Sequence, residues 1–416
     1  MKRKLCFICC FLAFALAQIF STESTLRGMN GISKNGNNFI PDFWADTLMV
    51  NPAFAVQLQK KWGFYMNNSL GLNVNNTKND SADTVENRVN FYTGVDPMVL
   101  INFSKFTFGI GGAANFGFNY KDTNGNADVS PYIDAGAEVL FAFDIKNAVK
   151  FGIDAKFDAN LDGSLVLGGV VTPGIIFSFK KNILSLAVPI DLAYVDADDL
   201  SGKFKFGVIF VDDFLVTDKF TVRFPARADV KLYTSPSSCH VSVPFSAGVS
   251  LIGKVNDPLL FFAGVDIGTS FGNASVTVDN NKETVYANKE NYFGFTLAPT
   301  LNAGVEAKVL SWFTLRTGLS HYFCHNEYHH YDKTDVNDEY WVNNFTLIGG
   351  ITWTAGCTFI VGKGLAIDLA ADLQNLEAAF YSYNHAVTGY DYNNNFKLRL
   401  TAAISVFSSK DKASSK

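Results

Sequence analysis

Apolar and polar residues alternate with a period of two along most of the chain between residues 62 and 407. Phe151, Ile153, Ala155, Phe157, Ala159 and Leu161 fall on one side of the alternation, and Gly152, Asp154, Lys156, Asp158, Asn160 and Asp162 on the other. The same division sets Phe220, Val222, Phe224, Ala226, Ala228, Val230 and Leu232 against Thr221, Arg223, Arg227, Asp229 and Lys231. Near the C-terminus it sets Phe396, Leu398, Leu400, Ala402, Ile404 and Val406 against Lys397, Arg399, Thr401 and Ser405. Successive side chains of a strand point to opposite faces, so each such segment meets an apolar medium on one face and a polar one on the other. A soluble sandwich also alternates, but many of these segments stay periodic for about 10 to 16 residues, which suits a tilted bilayer crossing of about 9–11 better than an ordinary strand.

The connections take turns between two kinds. Short ones fall at 102–105, 146–149, 180–182, 213–219, 254–258, 309–312 and 362–364. Between them lie longer polar ones at 75–86, 121–130, 196–201, 273–291, 326–339 and 383–392, with a short outer bend near Asp162-Gly163 as the exception. Tight turns at one end and long loops at the other are the habit of an outer-membrane barrel. The expected fold is therefore all-β, a transmembrane antiparallel up-and-down barrel of about 16 strands, with fourteen the other count that the spacing allows. An even count returns both ends to the periplasm and sends the long loops outside.

The N-terminus has a different character. Met1, Lys2, Arg3 and Lys4 precede an apolar run from Leu5 to Phe14, then Ala15-Leu16-Ala17, which reads as a secretory signal peptide over 1–17. Residues 18–61 are rich in Asn, Gly and Ser without sustained periodicity and read as a periplasmic or plug-like segment; the best helix candidate there is Ala53 to Lys60 after Pro52. The barrel would occupy 62–408 and a disordered polar tail 409–416. After the signal peptide the cysteines are Cys239, Cys324 and Cys357, an odd number that supports at most one disulfide.

Composition sharpens this picture. The 416 residues are 48% apolar and only 18% charged, with 39 Phe and 33 Gly, yet beyond the first two dozen positions no apolar run is long enough for a membrane helix. Low charge with many aromatics excludes a disordered chain, and a net charge of -5 argues against a nucleic-acid partner. Alternate residues facing lipid reconcile an apolar composition with the missing spans.

If the apolar face meets lipid, the opposite face lines a lumen. That face carries Asp154, Lys156, Asp158, Asp191, Lys205, Arg223, Arg227, Asp229, Lys231, Arg316, Asp368, Asp372, Lys397 and Arg399, with Asp134, Glu138, Asp266, Glu306 and Lys308. A dry interior would bury these charges at a cost of several kcal/mol each unless paired, so a wetted or loop-plugged lumen is expected. Bases concentrate from Lys205 to Lys231, and acids from Asp134 to Asp158 and from Asp368 to Asp372. Opposed blocks would set up a transverse field; local pairing that stiffens the wall is the alternative. The first functional reading is a porin for passive diffusion of small polar solutes.

Two sequence elements point to a second reading. Arg27-Gly28-Met29 and Asn51-Pro52-Ala53 lie in the segment before the barrel. They resemble the glycine-rich and N-P-A features in the N-terminal hatch of the FadL/TodX family of outer-membrane transporters. The resemblance implies a plugged barrel that takes up hydrophobic compounds. The chain departs from that family's fourteen strands and carries a more charged lumen than a hydrophobic tunnel would. A third reading is a surface barrel whose loops serve adhesion without transport.

Other constellations add little. His321, Cys324, His325, His329 and His330 are the densest group of ligand-type side chains, and His321, His325 and His329 would share one face of a strand; solvated loop histidines are the expected reading, and no metal site is assigned. Asp122, Asn124, Asn126 and Asp128 have the early spacing of a calcium loop, but Ala127 and Ile133 stand where its glycine and last acid belong. Gly268-Thr269-Ser270-Phe271-Gly272 runs into a polar loop rather than the helix a nucleophile elbow requires, and no enzyme activity is expected. No cofactor is expected. The expected partners are outer-membrane lipid, small solutes and further copies of the chain in a homo-oligomer, with no nucleic acid.

Overall fold

The computed structural model describes residues 51–57, 62–79, 84–103, 105–146, 148–161, 165–195, 202–234, 239–256, 258–272, 275–279, 282–286, 291–322, 325–332, 340–346, 351–361, 365–374 and 392–407. A 3-10 helix, Pro52–Gln57, is followed by β1 (Trp62–Asn79), β2 (Thr84–Asn102), β3 (Phe106–Thr123), β4 (Asn126–Lys146), β5 (Val149–Leu161), β6 (Leu165–Ser178), β7 (Asn182–Ala187), β8 (Ile190–Val195), β9 (Gly202–Thr217) and β10 (Phe220–Thr234). Then come β11 (Cys239–Asn256), β12 (Leu259–Gly272), β13 (Ser275–Asp279), β14 (Lys282–Tyr286), β15 (Asn291–Leu310), β16 (Phe313–Tyr322), β17 (His325–Asp332), β18 (Tyr340–Thr346), β19 (Ile351–Val361), β20 (Leu365–Gln374) and β21 (Tyr392–Phe407).

Each strand pairs antiparallel with its neighbours, and β21 returns to β1 in a ladder from Gly63–Phe407 to Lys78–Tyr392, so the sheet closes. Three staves are interrupted once. β7 and β8 both lie between β6 and β9, β16 and β17 both follow β15, and β18 and β19 pair with β17 and β16 in turn. The nineteen segments of the main sheet thus make sixteen staves, the expected count. Closure satisfies every edge, which a sheet in lipid requires. Prolines mark breaks in the ladders: β7 gives way to β8 at Val188-Pro189, and the β2–β3 register omits Asp96-Pro97 opposite Gly112-Ala113.

The two faces have opposite chemistry. Phe157, Leu192 and Ile267 stand at least half exposed on the outside, whereas Asp154, Arg223 and Asp368 are at most 5% exposed within. A water-soluble protein of this size would invert that pattern; a lipid-facing one produces it.

All seven short connections fall where the sequence places them. At 213–219 the strands run further than expected, and β9 and β10 are joined only by Asp218-Lys219. The long connections differ more. The span 121–130 is no open loop: β3 and β4 pair up to Thr123–Asn126 and turn on Asn124 and Gly125, both with positive φ. β1 and β2 likewise pair to Asn79–Thr84, β13 and β14 form a separate hairpin within 273–291, and β17 occupies the start of 326–339. Above the membrane both faces are wet, so these extensions lose the alternation that marks the strands below. Residues 1–17, most of 18–61 and the tail lie outside the described residues.

Candidate functional site: the anchored turn and the ion-paired wall

The expected helix at 53–60 is instead the 3-10 turn Pro52–Gln57, seated against the inner wall close to the short-turn end. Asn51 is fully buried and anchors it. Its side-chain amide donates to Ser185 Oγ at 2.8 Å and to the carbonyl oxygens of Ile175 and Leu186 at 3.1 Å each, while its Oδ1 accepts from Ala53 N at 2.9 Å. Asn before Pro suits this role, because the local bond from Ala53 N fixes the turn and leaves the amide free to reach β6 and β7.

The wall is shaped to receive the turn. A Cβ on Gly152 would stand 2.3 Å from Ala53 N, and one on Gly174 would stand 2.1 Å from Asn51 Oδ1. Only glycine permits backbone to approach this closely. Beyond the anchor, Phe54, Ala55 and Val56 pack with Tyr65, Met98, Leu100, Leu140 and Ala142, and Thr107 Oγ1 donates to Ala55 O at 3.3 Å. Residues of β1 to β4 therefore give the wall beside the turn an apolar patch.

The remaining interior is held by ion pairs between neighbouring staves. Lys156 Nζ lies 3.0 Å from Glu138, its direct cross-strand partner, and 3.7 Å from Asp154. Arg223 grips Asp213, also directly opposite, with Nη2 donating to Oδ2 at 2.6 Å. Arg227 and Lys205 converge on Asp229 at 2.9 and 3.8 Å. Arg316 pairs with Glu306 at 2.6 Å and reaches over the position of Gly356 toward Thr358 and Asp368, the latter at 3.7 Å. Asn302 donates to Asp266 at 2.7 Å. Each charged block read from the sequence thus carries its own counter-charge, so the local-pairing alternative describes these contacts better than two opposed walls do.

Of the other lumen candidates, Asp158 is exposed, Asp191 and Lys231 are partly buried, and Lys308 is exposed at the short-turn rim. Asp372 stands opposite Arg399 and Gln374 opposite Lys397 in the ladder, but the side chains of Asp372, Lys397 and Arg399 lie outside the described residues. His321 continues the outward face of Leu315 and Leu319, while the side chains of His325 and His329 are outside the description. The calcium-like spacing resolves into a turn: Asp122 Oδ1 accepts from Gly125 N at 2.8 Å. Sequence reading missed Asp213, Ser185, Gly152 and Gly174 as partners: Asp213 is only 10 residues from Arg223 but lies in the stretch read as a connection, whereas the other three meet residues about 100 or more positions away.

No family model and no curated protein matches the chain. Among solved structures, the TodX monoaromatic hydrocarbon channel, as its deltaS2 mutant, aligns with a TM-score of 0.50 at 11% identity over 93% of this chain and 100% of that one. The toluene transporter TodX of P. putida gives 0.49 at 12% identity over 94% and 100%, and the toluene transporter TbuX of Ralstonia pickettii gives 0.43 at 10% over 92% and 99%. At these identities the likeness is one of fold. The chain is an outer-membrane β-barrel protein similar in fold to the TodX channel.

Proposed function

We propose that the protein is a plugged channel for the uptake of small hydrophobic molecules, rather than an open porin for polar solutes. The observation that carries this reading is the seating of Asn51-Pro52-Ala53 on Gly152 and Gly174, which fixes an apolar turn inside the barrel against β3 to β6. The patch of Tyr65, Met98, Leu100, Leu140 and Ala142 is covered by the turn itself, so it becomes available when the turn shifts, and an apolar molecule would then fill it favourably where a polar solute gains nothing. The paired charges point the same way, since carboxylates and cations already engaged with one another exert little net pull on passing ions. The fold shared with a monoaromatic hydrocarbon channel supports it further.

The test is made on purified protein in vesicles, with arabinose swelling as the polar readout and toluene accumulation as the apolar one. The proposal expects slow arabinose entry, faster toluene entry than in empty vesicles, and a sharp rise in arabinose entry once residues 18–61 are deleted. Free arabinose entry through the intact chain without toluene transport would restore the porin reading. Silence of both the intact and the deleted chain would leave the barrel as a surface anchor.

A further inference from the structure

We infer that the wall beside the anchored turn holds a seat for the ammonium group of an apolar amine. The inference rests on the uptake of apolar molecules proposed above and narrows it to a class of solute.

One cluster of the wall is out of balance. Lys156 Nζ lies 3.0 Å from Glu138 and 3.7 Å from Asp154, and Asp96 faces both Lys156 and Glu138 within Coulombic reach. Three carboxylates thus share one ammonium, and among the described residues no second cation joins them. The shared lysine is the most open member. Its side chain is 41% exposed, against 11% for Glu138 and 7% for Asp154. Asp154 Oδ1 is buried and accepts no hydrogen bond from any described residue. Leaving a buried carboxylate oxygen without a donor is costly, and matched charges would stiffen the wall without that cost.

Register sets this cluster against apolar surface. Asp96 is two residues from Met98 on β2, Glu138 two from Leu140 on β4, and Asp154 two from Gly152 on β5, so each shares the lumen-facing side with that neighbour. Leu140 stands directly opposite Asp154 in the ladder, and Met98 and Glu138 both stand opposite Gly111, which places no side chain between them. The acids therefore border the patch that the turn covers, and Gly152, on which Ala53 sits, adjoins Asp154 on the same strand. A shift of the turn uncovers apolar surface next to a carboxylate.

An ammonium carries three N–H donors and no acceptor, which matches carboxylate oxygens gathered around a displaceable lysine. It takes the place of Lys156 through charge-assisted bonds, while the apolar part of the molecule replaces the turn against Leu140 and Met98. A neutral hydrocarbon leaves the surplus acids unserved, and an anion is repelled by them. A metal ion fits less well, since no three ligand-type side chains among the described residues are grouped so as to hold one.

Equilibrium dialysis of the full chain in detergent micelles tests the seat with 2-phenylethylamine, 2-phenylethanol and phenylacetate, each corrected for uptake by micelles alone. At neutral pH these are a cation, a neutral molecule and an anion of similar size. The seat predicts that the amine binds about tenfold more tightly than the alcohol, the return on one charge-assisted hydrogen bond, and that phenylacetate binds least. Lys156→Gln should strengthen amine binding several-fold by removing the competitor, and Asp154→Asn with Glu138→Gln should bring the amine level with the alcohol. Equal binding of amine and alcohol by the parent chain, or an amine preference that survives the double substitution, would overturn the inference. So would weaker amine binding by folded Lys156→Gln protein. If a variant fails to fold, as heat-modifiable migration reports, the three probes on the parent chain still decide. Toluene accumulation in vesicles of the same protein keeps the two readings apart. Toluene uptake without an amine preference removes this inference alone, and absence of both removes the two together.

Discussion

Asn51 and Ser185 lie 134 residues apart in the chain and meet at 2.8 Å, amide to hydroxyl, where the segment before the barrel is pinned to its wall. The same amide also serves two carbonyl oxygens, and each such bond contributes about 1 kcal/mol. Asn51→Ala is therefore expected to free the turn while leaving the sixteen staves intact. Planar-bilayer recordings should show larger or more frequent openings, with heat-modifiable gel migration unchanged. Asn51→Asp should open it at least as far, because a carboxylate would face the carbonyls of Ile175 and Leu186. Unaltered conductance in both variants would mean that this anchor does not hold the channel closed.

Gly174 tests the same contact from the wall side. A Cβ there falls 2.1 Å from Asn51 Oδ1 and 3.0 Å from Pro52 Cδ, so Gly174→Ala must displace the turn or bend β6. The increase in conductance should match that of Asn51→Ala. Combining the two should add little, because the second change acts on a turn already released.

Adjacent residues of β5 should respond unequally to the same substitution. Phe157 is 55% exposed on the outward face, and Asp158 follows it on the inward one. Phe157→Arg is expected to destabilise the barrel by about 2–4 kcal/mol, the cost of a cation on the lipid face near the midplane, whereas Asp158→Arg should change stability far less. Denaturant midpoints of the folded gel band in vesicles measure both. Equal effects would contradict the assignment of faces.

Arg223 and Asp213 give a stability test inside the barrel. The arginine is 2% exposed, so Asp213→Ala would strand a buried guanidinium at a cost of about 3–5 kcal/mol. Replacing both residues with leucine should recover much of that loss. Asp218→Ala, exposed in the neighbouring turn, should stay within about 0.5 kcal/mol of the parent chain.

The faces of the staves were legible in the sequence because lipid and lumen impose opposite preferences at every second residue, as from Phe151 to Leu161. The short turns were legible for the related reason that they interrupt that pattern abruptly. Pairing was not legible. Glu138 and Lys156 are partners only because β4 and β5 adopt one register, and a slip of one residue would have sent one of them outward. The N-P-A element was recognisable as a motif, but nothing around Gly152 or Gly174 marks them as its seat. The hairpin at 121–130 was hidden because its strands rise into water on both faces, even though Asn124-Gly125 is a strong two-residue turn signal.

That turn yields a last prediction. Asn124 has φ of 50° and Gly125 of 89°, both in the left-handed region that a tight hairpin of this twist demands. Asparagine tolerates that region, and glycine occupies it freely; alanine at 125 would add a steric cost of about 1 kcal/mol in a hairpin with little core beneath its tip. Because β3 and β4 remain paired through the membrane, Gly125→Ala should fray the tip without unfolding the barrel. Trypsin acting on protein in vesicles should then cut after the exposed Lys121 several-fold faster than in the parent chain, while heat-modifiable migration stays the same. Asn124→Gly, which relieves the backbone rather than straining it, should leave the cutting rate unchanged. Equal rates in the Gly125→Ala variant and its parent would show that the paired hairpin does not depend on this turn.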